Sequence, residues 1–449
     1  MNPLVYLLLP EVREMVAQGD SAGLREAFEH FHPADLAEFL SLLSPPEAEV
    51  VFRTLDQPTR ALVFETMDED RQVELLARIG PEGMARTIEE MSSDDRADLF
   101  QRLPARAAEA LFPLLARADR LDVKKLLAYP EGTAGALMST EYATVEPEMA
   151  VSEAIAHLRR IAPRKETIYY AYVTAADRSL VGIVSLQDLI LARPELKVRE
   201  VMKADVISME ADADQERVVR AVEKYDFLAL PIVDREKKLV GIVTHDDVLD
   251  VAQEEAAEDA YKMAAVAPLE DPYLRTSFWS LARKRAGWLA VLFFGEMFTG
   301  TALAHYDEVL KEVVSLVFFI PLIISTGGNS GSQSATLITR ALALGELRLR
   351  DWMKVAGREV SMGLALGLLF AAIGLGRAYL LRSGWEVAIT VSITLLGIVI
   401  FAALLGGLFP LLLARLGLDP AVASSPFIAS VVDVAGIVLY LNVARWIVF

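Results

Sequence analysis

The first part of the chain has a repeating pattern of apolar positions. Residues 32–115 repeat with a period of 12, and most of the seven blocks begin with Ser, Asp, Gly or Pro, which favour a helix start. Each block ends on a large apolar residue: Leu43, Leu55, Met67, Ile79, Met91, Leu103 and Leu115. Each block is therefore predicted to be one short helix and a turn. Because none can bury its apolar face alone, we expect a stacked, superhelical α-helical domain.

A second repeat lies between residues 136 and 250. The segment Leu180–Ile190 (LVGIVSLQDLI) recurs as Leu239–Leu249 (LVGIVTHDDVL), and an apolar strand precedes each copy. This pattern resembles an α/β tandem pair of CBS domains. In that family a Ser/Thr-x-x-Asp at the end of the second strand can bind a nucleotide ribose, and the matching residues here begin at Ser185 and Thr244. A hydroxyl that only caps the following helix is an equally good interpretation.

Long apolar runs dominate the chain after residue 285. Two of them, of 25 and 28 residues, exceed ordinary core helices, so buried helices of a soluble protein are the weaker alternative. The run Val313–Ser325 is too short for a hydrocarbon core of ~30 Å unless it continues through the polar stretch Thr326–Thr336. We predict that it does, which makes an all-α transmembrane domain of five helices. The runs begin at Ala286, Val313, Glu359, Val387 and Pro420.

The basic residues near the ends of these runs predict their orientation. With the N-terminal part in the cytoplasm, ten Lys and Arg residues lie on the inside and four on the outside. The inside set includes Arg275, and the outside set is Lys311, Arg377, Arg382 and Arg445. We therefore expect a multi-pass protein of the cell (inner) membrane, with cytoplasmic N-terminal domains and an extracytoplasmic C-terminus.

Charge divides the chain at the same place. Residues 1–270 hold 51 acidic and 30 basic residues, whereas residues 271–449 hold 11 acidic and 14 basic residues. The acidic part argues against nucleic-acid binding and is suited to cations. The absence of Cys excludes a thiolate metal site and a cysteine nucleophile. Residues 246–270 read as a long acidic helix, in which a bound cation would relieve the repulsion between like charges, although a merely solvated helix is the simpler interpretation.

Asp433 is the sharpest chemical signal in the apolar part. It sits near the middle of the run Pro420–Ala444, where an ionised carboxylate costs about 2.5–3.5 kcal/mol. It must therefore face a bundle interior or a wet path. Glu296 and Glu359 are weaker candidates, because each lies nearer a polar neighbour or the end of a run. The Gly- and Ser-rich stretch Thr326–Thr336 would allow close helix contact or line a wet path, and it lacks the GK[ST] of a phosphate loop.

The string TGGNSGSQSATLITRAL, the segment PFIASVVDVAG around Asp433 and the order of the domains resemble the MgtE family of magnesium channels. The resemblance implies a homodimer in membrane lipid, whose pore lies between the subunits and selects Mg²⁺ with Asp433 of each. It also implies that cytoplasmic Mg²⁺ binds between the domains and the connecting acidic "plug" helix, and shuts the pore. One departure is Ser425-Pro426, where the family has Asn-Pro.

The family's motifs imply functional residues at matching positions of this sequence. The resemblance implies Mg²⁺ sensor ligands at Asp94, Asp98, Asp214, Glu216, Asp226, Asp247, Asp250, Glu255, Glu258, Asp259 and Asp419. A regulatory ATP, if one binds, is expected in the CBS cleft near Tyr170, Asp188 and Phe227. The predicted domains are a helical repeat domain (1–130), the CBS pair (131–250), the plug helix (251–272) and the pore domain (273–449).

Two other functions compete with this interpretation. An intramembrane protease would need HExxH or two intramembrane Asp residues, and none of the five His residues makes that motif. We therefore expect no enzyme activity. The nearer alternative is a channel for other divalent ions such as Co²⁺, Mn²⁺ or Ni²⁺, or a nucleotide-modulated transporter. Oxygen ligands favour Mg²⁺ over the softer ions but do not exclude Mn²⁺.

Overall fold

The computed structural model describes residues 3–269, 273–274 and 276–448. The predicted end of the plug helix, residues 270–272, and Arg275 lie outside the described residues. The chain divides into two compact units, Met1–Ala252 and Gln253–Phe449, which are described separately below.

The first unit begins with a stack of short helices. These are α1 (Pro3–Gln18), α2 (Ser21–Phe28), α3 (Pro33–Leu42), α4 (Pro45–Thr54), α5 (Gln57–Glu65), α6 (Glu69–Ile79), α7 (Pro81–Glu89), α8 (Ser93–Arg102), α9 (Ala105–Leu111) and α10 (Arg117–Leu126). A 3-10 turn, Phe112–Leu114, follows α9.

The 12-residue repeat is confirmed by helices α3 to α9. Their N-cap residues recur every 12 positions, and Asp56 holds the first turn of α5 by accepting a hydrogen bond from the Thr59 backbone N–H at 2.8 Å. Of the seven block-ending residues, six are buried in one continuous core, and Ile79 packs against it half-buried. The repeat therefore acts by placing one apolar anchor per helix in a shared core.

The rest of the first unit contains two copies of a small α/β fold. The first copy has α11 (Ala134–Leu137), β1 (Thr144–Val145), α12 (Val151–Ile161), β2 (Tyr170–Thr174), β3 (Leu180–Ser185) and α13 (Leu186–Leu191). The second has α14 (Val198–Val201), β4 (Met209–Glu210), α15 (Gln215–Tyr225), β5 (Ala229–Val233), β6 (Leu239–Thr244) and α16 (His245–Met263). In each sheet the first strand pairs parallel to the second, which pairs antiparallel to the third. The boundary between the two compact units falls within α16.

The second unit contains five helical segments that are long and apolar enough to cross a membrane. Span 1 is Phe278–His305, span 2 is Val314–Ala343, span 3 is Leu349–Leu380, span 4 is Trp385–Arg415 and span 5 is Ser425–Val448. In helix terms these are α17 (Phe278–His305), α19 (Ile320–Ala343), α20 (Trp352–Leu380), α21 (Trp385–Arg415) and α22 (Ser425–Val448), with a short α18 (Asp307–Glu312) between spans 1 and 2. Short 3-10 turns cover Val314–Phe319, Leu349–Asp351 and Pro420–Val422.

Span 2 confirms that the Gly- and Ser-rich stretch is helical. Helix α19 runs without a break through Thr326–Thr336, so a hairpin loop at this place is excluded. The glycines are needed because span 5 and span 4 pack directly on the helix backbone. A Cβ atom on Gly331 would lie 2.8 Å from Ile428 and 3.2 Å from the carbonyl oxygen of Ala402. Small residues permit the same close approach in membrane helix pairs generally.

Gly406 provides a direct test of this packing. A Cβ atom at position 406 of span 4 would lie 2.2 Å from the carbonyl oxygen of Gly331 in span 2, and backbone atoms cannot move aside cheaply. We expect Gly406→Ala to destabilise the protein by about 1–3 kcal/mol through overpacking. Thermal unfolding in detergent measures the loss. The matched control is Gly376→Ala in span 3, where a Cβ atom meets nothing within 4 Å, and equal melting temperatures for the two variants would contradict the packing.

Candidate ion-binding sites

An acidic cluster lies in the first unit, where helix α8 meets the start of α16. Its residues are Asp94 and Asp95 on α8 and Asp246, Asp247 and Asp250 on α16. Ser93 fixes the N-terminal end of α8 against residues 139–140. Its buried hydroxyl lies 3.2 Å from the Ser139 hydroxyl and accepts a hydrogen bond from the Thr140 backbone N–H at 2.8 Å. The negative charges of Asp94 and Asp247 repel each other, and the charges of Asp246 and Asp250 repel that of Asp95.

Asp94 is the most confined carboxylate of this cluster. It is 8% exposed, and its buried Oδ1 has no hydrogen-bond partner among the described residues. Burial raises the pKa of Asp94, and the charges of Asp247, Glu166 and Asp95 raise it further. A buried carboxylate oxygen without a donor is costly, so a cation beside it would be stabilising.

The pKa values of the neighbouring carboxyl groups are raised as well. Burial raises the pKa of Asp247 to about 7, although the Thr244 hydroxyl donates to it and opposes the rise. The pKa of Glu65 is raised to about 8, mainly by burial and to a lesser degree by the Asp95 charge. Burial and then Glu141 raise the pKa of Glu166 to about 7. Arg96 offsets part of the charge, since it pairs with Asp119 at 3.0 Å and with Glu141 at 3.6 Å.

The other sensor candidates of the first unit have local partners. Asp98 pairs with Arg102 at 3.7 Å, and Glu216 pairs with Arg220 at 2.6 Å. Asp214 caps α15 by accepting the Glu216 backbone N–H at 2.9 Å. Asp226 ends α15 in the left-handed conformation and is exposed. Asp94, Asp247 and Asp250 thus belong to one cluster, whereas these four lie in ion pairs or at helix ends.

A second acidic grouping lies in the second unit, around the turn that precedes span 5. The Lys262 ammonium of α16 lies 2.6 Å from Glu258 and 2.7 Å from Asp419. Burial lowers the pKa of Lys262, but the hydrogen bonds to Asp419 and Glu258 outweigh it and raise the pKa overall. Burial and the Asp419 charge raise the pKa of Asp259. Glu255 lies one turn before Asp259 on the same helix and adds to that charge.

Asp433 on span 5 lies against the Gly-rich backbone of span 2. A Cβ atom on Gly328 would come 3.4 Å from the Asp433 Oδ1 and 3.4 Å from the Ala429 Cβ, so the glycine leaves room beside the carboxylate. Hydroxyls join the same two spans about two turns nearer the start of span 5. Ser332 donates to the carbonyl oxygen of Ser425 at 3.0 Å, and the Thr336 and Ser425 hydroxyls are 3.4 Å apart. The charge of Glu296 on span 1 also acts on Asp433.

The cleft of the CBS pair contains a cavity of about 260 Å³. Its lining includes Tyr170, Asp188 and Phe227, together with Lys203. The Ser185 hydroxyl donates to Asp188 at 2.6 Å and accepts the Asp188 backbone N–H at 3.0 Å, so it does cap helix α13. Both residues also line the cavity, and the capping role therefore leaves the nucleotide role open.

Several members of these groupings are not predicted by any sequence motif. Glu65, Glu141 and Glu166 belong to no motif. The ligand set implied by the family contains Asp98 and not Asp95, although Asp95 lies in the first turn of α8, close to the charges of α16. Within the described ranges, no three His, Cys, Asp or Glu side chains converge as a ready-made metal cage. The carboxylates come in pairs, which is sufficient for Mg²⁺ because this ion keeps most of its water.

Four segments of the chain match known families. Residues 31–132 match the MgtE intracellular N domain, residues 134–195 and 198–254 match CBS domains, and residues 320–443 match the family described as a divalent cation transporter. These matches and the five apolar helices define a divalent cation transporter with regulatory domains, which is a non-enzymatic class.

Whole-chain relatives specify the family. The chain is 40% identical to a magnesium transporter MgtE of Thermus thermophilus over 98% of both chains, and 33% identical to one of Bacillus subtilis over 83% of this chain and 82% of the relative. The chain belongs to the MgtE family of magnesium transporters. A crystal structure of the cytosolic domain of the Mg²⁺ channel MgtE in complex with ATP is 41% identical, with a TM-score of 0.52, and covers 54% of this chain and 100% of its own. The soluble part of a magnesium transporter is 31% identical, with a TM-score of 0.53, over 56% of this chain and 100% of its own.

The raised pKa values predict how stability depends on pH. When folding raises the pKa of a carboxyl, the folded state holds its proton more tightly than the unfolded state does. Without divalent ions, the free energy of unfolding should therefore fall as the pH rises from about 4 toward 8. Glu65→Gln imitates the protonated acid and keeps an acceptor for the Ser92 backbone N–H. It should raise the melting temperature by several degrees at pH 8.5 and change it little at pH 5. Exposed Glu82→Gln is the control, and an equal effect of Glu65→Gln at both pH values would contradict the assignment.

Proposed function

We propose that this chain is a Mg²⁺-selective channel for magnesium uptake and works as a homodimer with its pore between the two copies. The observation that carries the proposal is the Asp433 carboxylate, which lies near the middle of the apolar run Pro420–Ala444 and against the open backbone of Gly328. An ionisable group at this depth costs free energy unless it serves an ion path. Membership of a magnesium transporter family supports Mg²⁺ as that ion.

The chemistry of Mg²⁺ accounts for so sparse a site. Mg²⁺ loses its water reluctantly and is held through one or two carboxylates with several waters retained. Two symmetry-related Asp433 side chains supply such a pair on the dimer axis. Gly328 leaves space for the water shell, since any larger side chain there would contact the carboxylate. Broader permeation of Co²⁺, Mn²⁺ or Ni²⁺ is the alternative, because oxygen ligands discriminate weakly against Mn²⁺.

Cytoplasmic Mg²⁺ is proposed to gate the channel through the acidic cluster of the first unit. Asp94 and Asp247 bring two strongly disfavoured negative charges together, one from the helical domain and one from the CBS pair. A bridging Mg²⁺ offsets their repulsion and favours the compact form. When Mg²⁺ leaves, the same repulsion favours separation. Asp250, which lies near Asp95, would join this site.

The second unit offers a matching link to the pore. Asp259 of the plug helix and Asp419 of the turn before span 5 act on each other's charge, and a Mg²⁺ between them would tie the helix to the span that carries Asp433. Lys262 already bridges Glu258 and Asp419 and so holds the helix in the absence of the ion. Glu255 and the remaining candidates Asp98, Asp214, Glu216 and Asp226 complete the proposed sensor set.

The basic residues at the span ends support a cytoplasmic position for both soluble domains and an extracytoplasmic C-terminus. The acidic composition of residues 1–270 argues for cations rather than nucleic acid as partners. The 1–130, 131–250, 251–272 and 273–449 divisions then correspond to the sensor domain, the nucleotide-binding pair, the plug helix and the lipid-embedded pore.

ATP is proposed as a regulator bound in the CBS cleft. Asp188 lines the cavity, where its carboxylate would accept ribose hydroxyls, and Phe227 stacks on Tyr225 with ring centroids 5.5 Å apart. A base stacked on such rings and a phosphate near Lys203 would satisfy the lining. The similar cytosolic domain solved with ATP supports the choice of ligand.

Asp433→Asn tests the pore. The amide keeps the shape of the side chain but removes the charge, so Mg²⁺ uptake into proteoliposomes should fall to background while the protein still folds. Asp307→Asn, on the short helix after span 1 and paired with Lys311, should keep normal uptake. Uptake by Asp433→Asn at the unaltered rate would contradict the pore assignment. The same assay with Mn²⁺, Co²⁺ and Ni²⁺ decides between narrow and broad selectivity.

Asp188→Asn tests the nucleotide site. Loss of a charged acceptor for the ribose should weaken ATP binding by about tenfold or more, measured by calorimetry on the full chain in detergent. Tyr169→Ala is the control, since this neighbouring ring is 64% exposed and lies outside the cavity lining. No ATP heat with the unaltered protein would remove ATP from the account.

A further inference from the structure

Glu296 is a second carboxylate that the structure brings to Asp433. It lies in the middle of the apolar run Ala286–Ala304 of span 1, next to Gly295, whose Cβ position is 3.8 Å from the Ser430 Cβ of span 5, and its charge acts on Asp433. The two residues come from the two spans that are farthest apart in the sequence of the second unit. Their meeting at mid-span therefore depends on the packing of span 1 against span 5, where Gly295 faces Ser430.

The surroundings of Glu296 argue against a purely structural carboxyl. Span 1 has no buried residue, and Glu296 itself is exposed in the single chain. An exposed acidic side chain at mid-bilayer costs about 2.5–3.5 kcal/mol on insertion scales. Glu359 of span 3 shows the contrasting case, because it is half-buried and accepts a hydrogen bond from Ser334 at 2.7 Å. The described part of the chain provides no basic side chain that pairs with Glu296.

We propose that Glu296 is a specificity-determining residue of the ion path, and that it strengthens the binding of hydrated Mg²⁺ at Asp433. The inference rests on the pore function proposed for Asp433. Two carboxylates at one level attract a divalent ion about twice as strongly as a monovalent one, because the Coulomb energy scales with the charge of the ion. Glu296 acts on the ion's water shell and Asp433 anchors the shell from the opposite helix.

This role makes a distinctive prediction about ion preference. Removing the Glu296 charge should raise the Mg²⁺ concentration that half-saturates the flux by about tenfold, equal to about 1.4 kcal/mol. It should also let monovalent cations pass when Mg²⁺ is absent and weaken the block of that current by Mg²⁺. A residue that merely holds span 1 in place would change the amount of folded protein but not these two quantities.

Three substitutions separate charge from hydrogen bonding. Glu296→Gln keeps a hydrogen-bonding group without charge, Glu296→Met keeps the length without either, and Glu296→Asp keeps the charge. We expect Gln and Met both to give the tenfold shift and the Na⁺ current, and Asp to stay within about threefold of the unaltered channel. Glu386→Gln, at the start of span 4, is the control and should behave as the unaltered protein.

The measurements are Mg²⁺ flux into proteoliposomes and Na⁺ current in patches across a Mg²⁺ titration, both on the full chain. Normal half-saturation and normal Mg²⁺ block in Glu296→Gln would overturn the role of Glu296. If Gln is normal and only Met is impaired, the residue acts through hydrogen bonding rather than through its charge, and the proposal is also wrong. If Gln does not fold, the folded Met variant decides on the same two quantities. Because Asp433→Asn is measured alongside, uptake that survives that change identifies a failure of the pore assignment itself.

Discussion

Repulsion between carboxylates held at short range is the constraint on which this molecule depends. In the first unit, Asp94 and Asp247 meet where water is largely excluded, and burial makes their charged forms costly. In the second unit, the Asp419 charge acts on the half-buried Asp259, and Lys262 offsets part of this repulsion by pairing with Asp419. The apolar packing of the helical stack and of the spans holds each pair together against that repulsion. A divalent cation between two such carboxylates would reverse the sign of the interaction, and the proposed Mg²⁺ sensor depends on this reversal.

The two CBS repeats contain the same hydroxyl–carboxylate capping pair in two different surroundings. Ser185 and Asp188 form a capping pair at the start of α13, and Thr244 and Asp247 form the equivalent pair at the start of α16. Asp188 lines the cavity proposed for the nucleotide, whereas Asp247 acts on Asp94 of the helical domain. The cap keeps each carboxylate in place at the strand end, and the neighbouring domain decides what the carboxylate faces.

Local patterns predicted the fold well because they act within one element. The 12-residue period specifies where each short helix is capped and where its apolar anchor lies, and a mid-run Asp at position 433 is visible without any structure. Contacts between distant segments were less accessible. Asp98 looked equivalent to Asp95, yet it pairs with Arg102 while Asp95 faces α16. Glu296 is the weaker candidate in the sequence because it lies nearer a polar neighbour, and its position close to Asp433, more than a hundred residues away, depends on the packing of spans 1 and 5.

Patch recordings of the Asp94→Asn/Asp247→Asn variant across a cytoplasmic Mg²⁺ titration test the central claim most directly. The substitutions keep size and remove the charges that a bridging ion would neutralise. If Mg²⁺ acts by bridging these carboxylates, the variant channel stays open at Mg²⁺ concentrations that shut the unaltered one. If repulsion alone governed the gate, the variant would shut even without Mg²⁺. An inhibition curve identical to that of the unaltered channel would contradict the account, because it would show that this acidic cluster does not sense the ion.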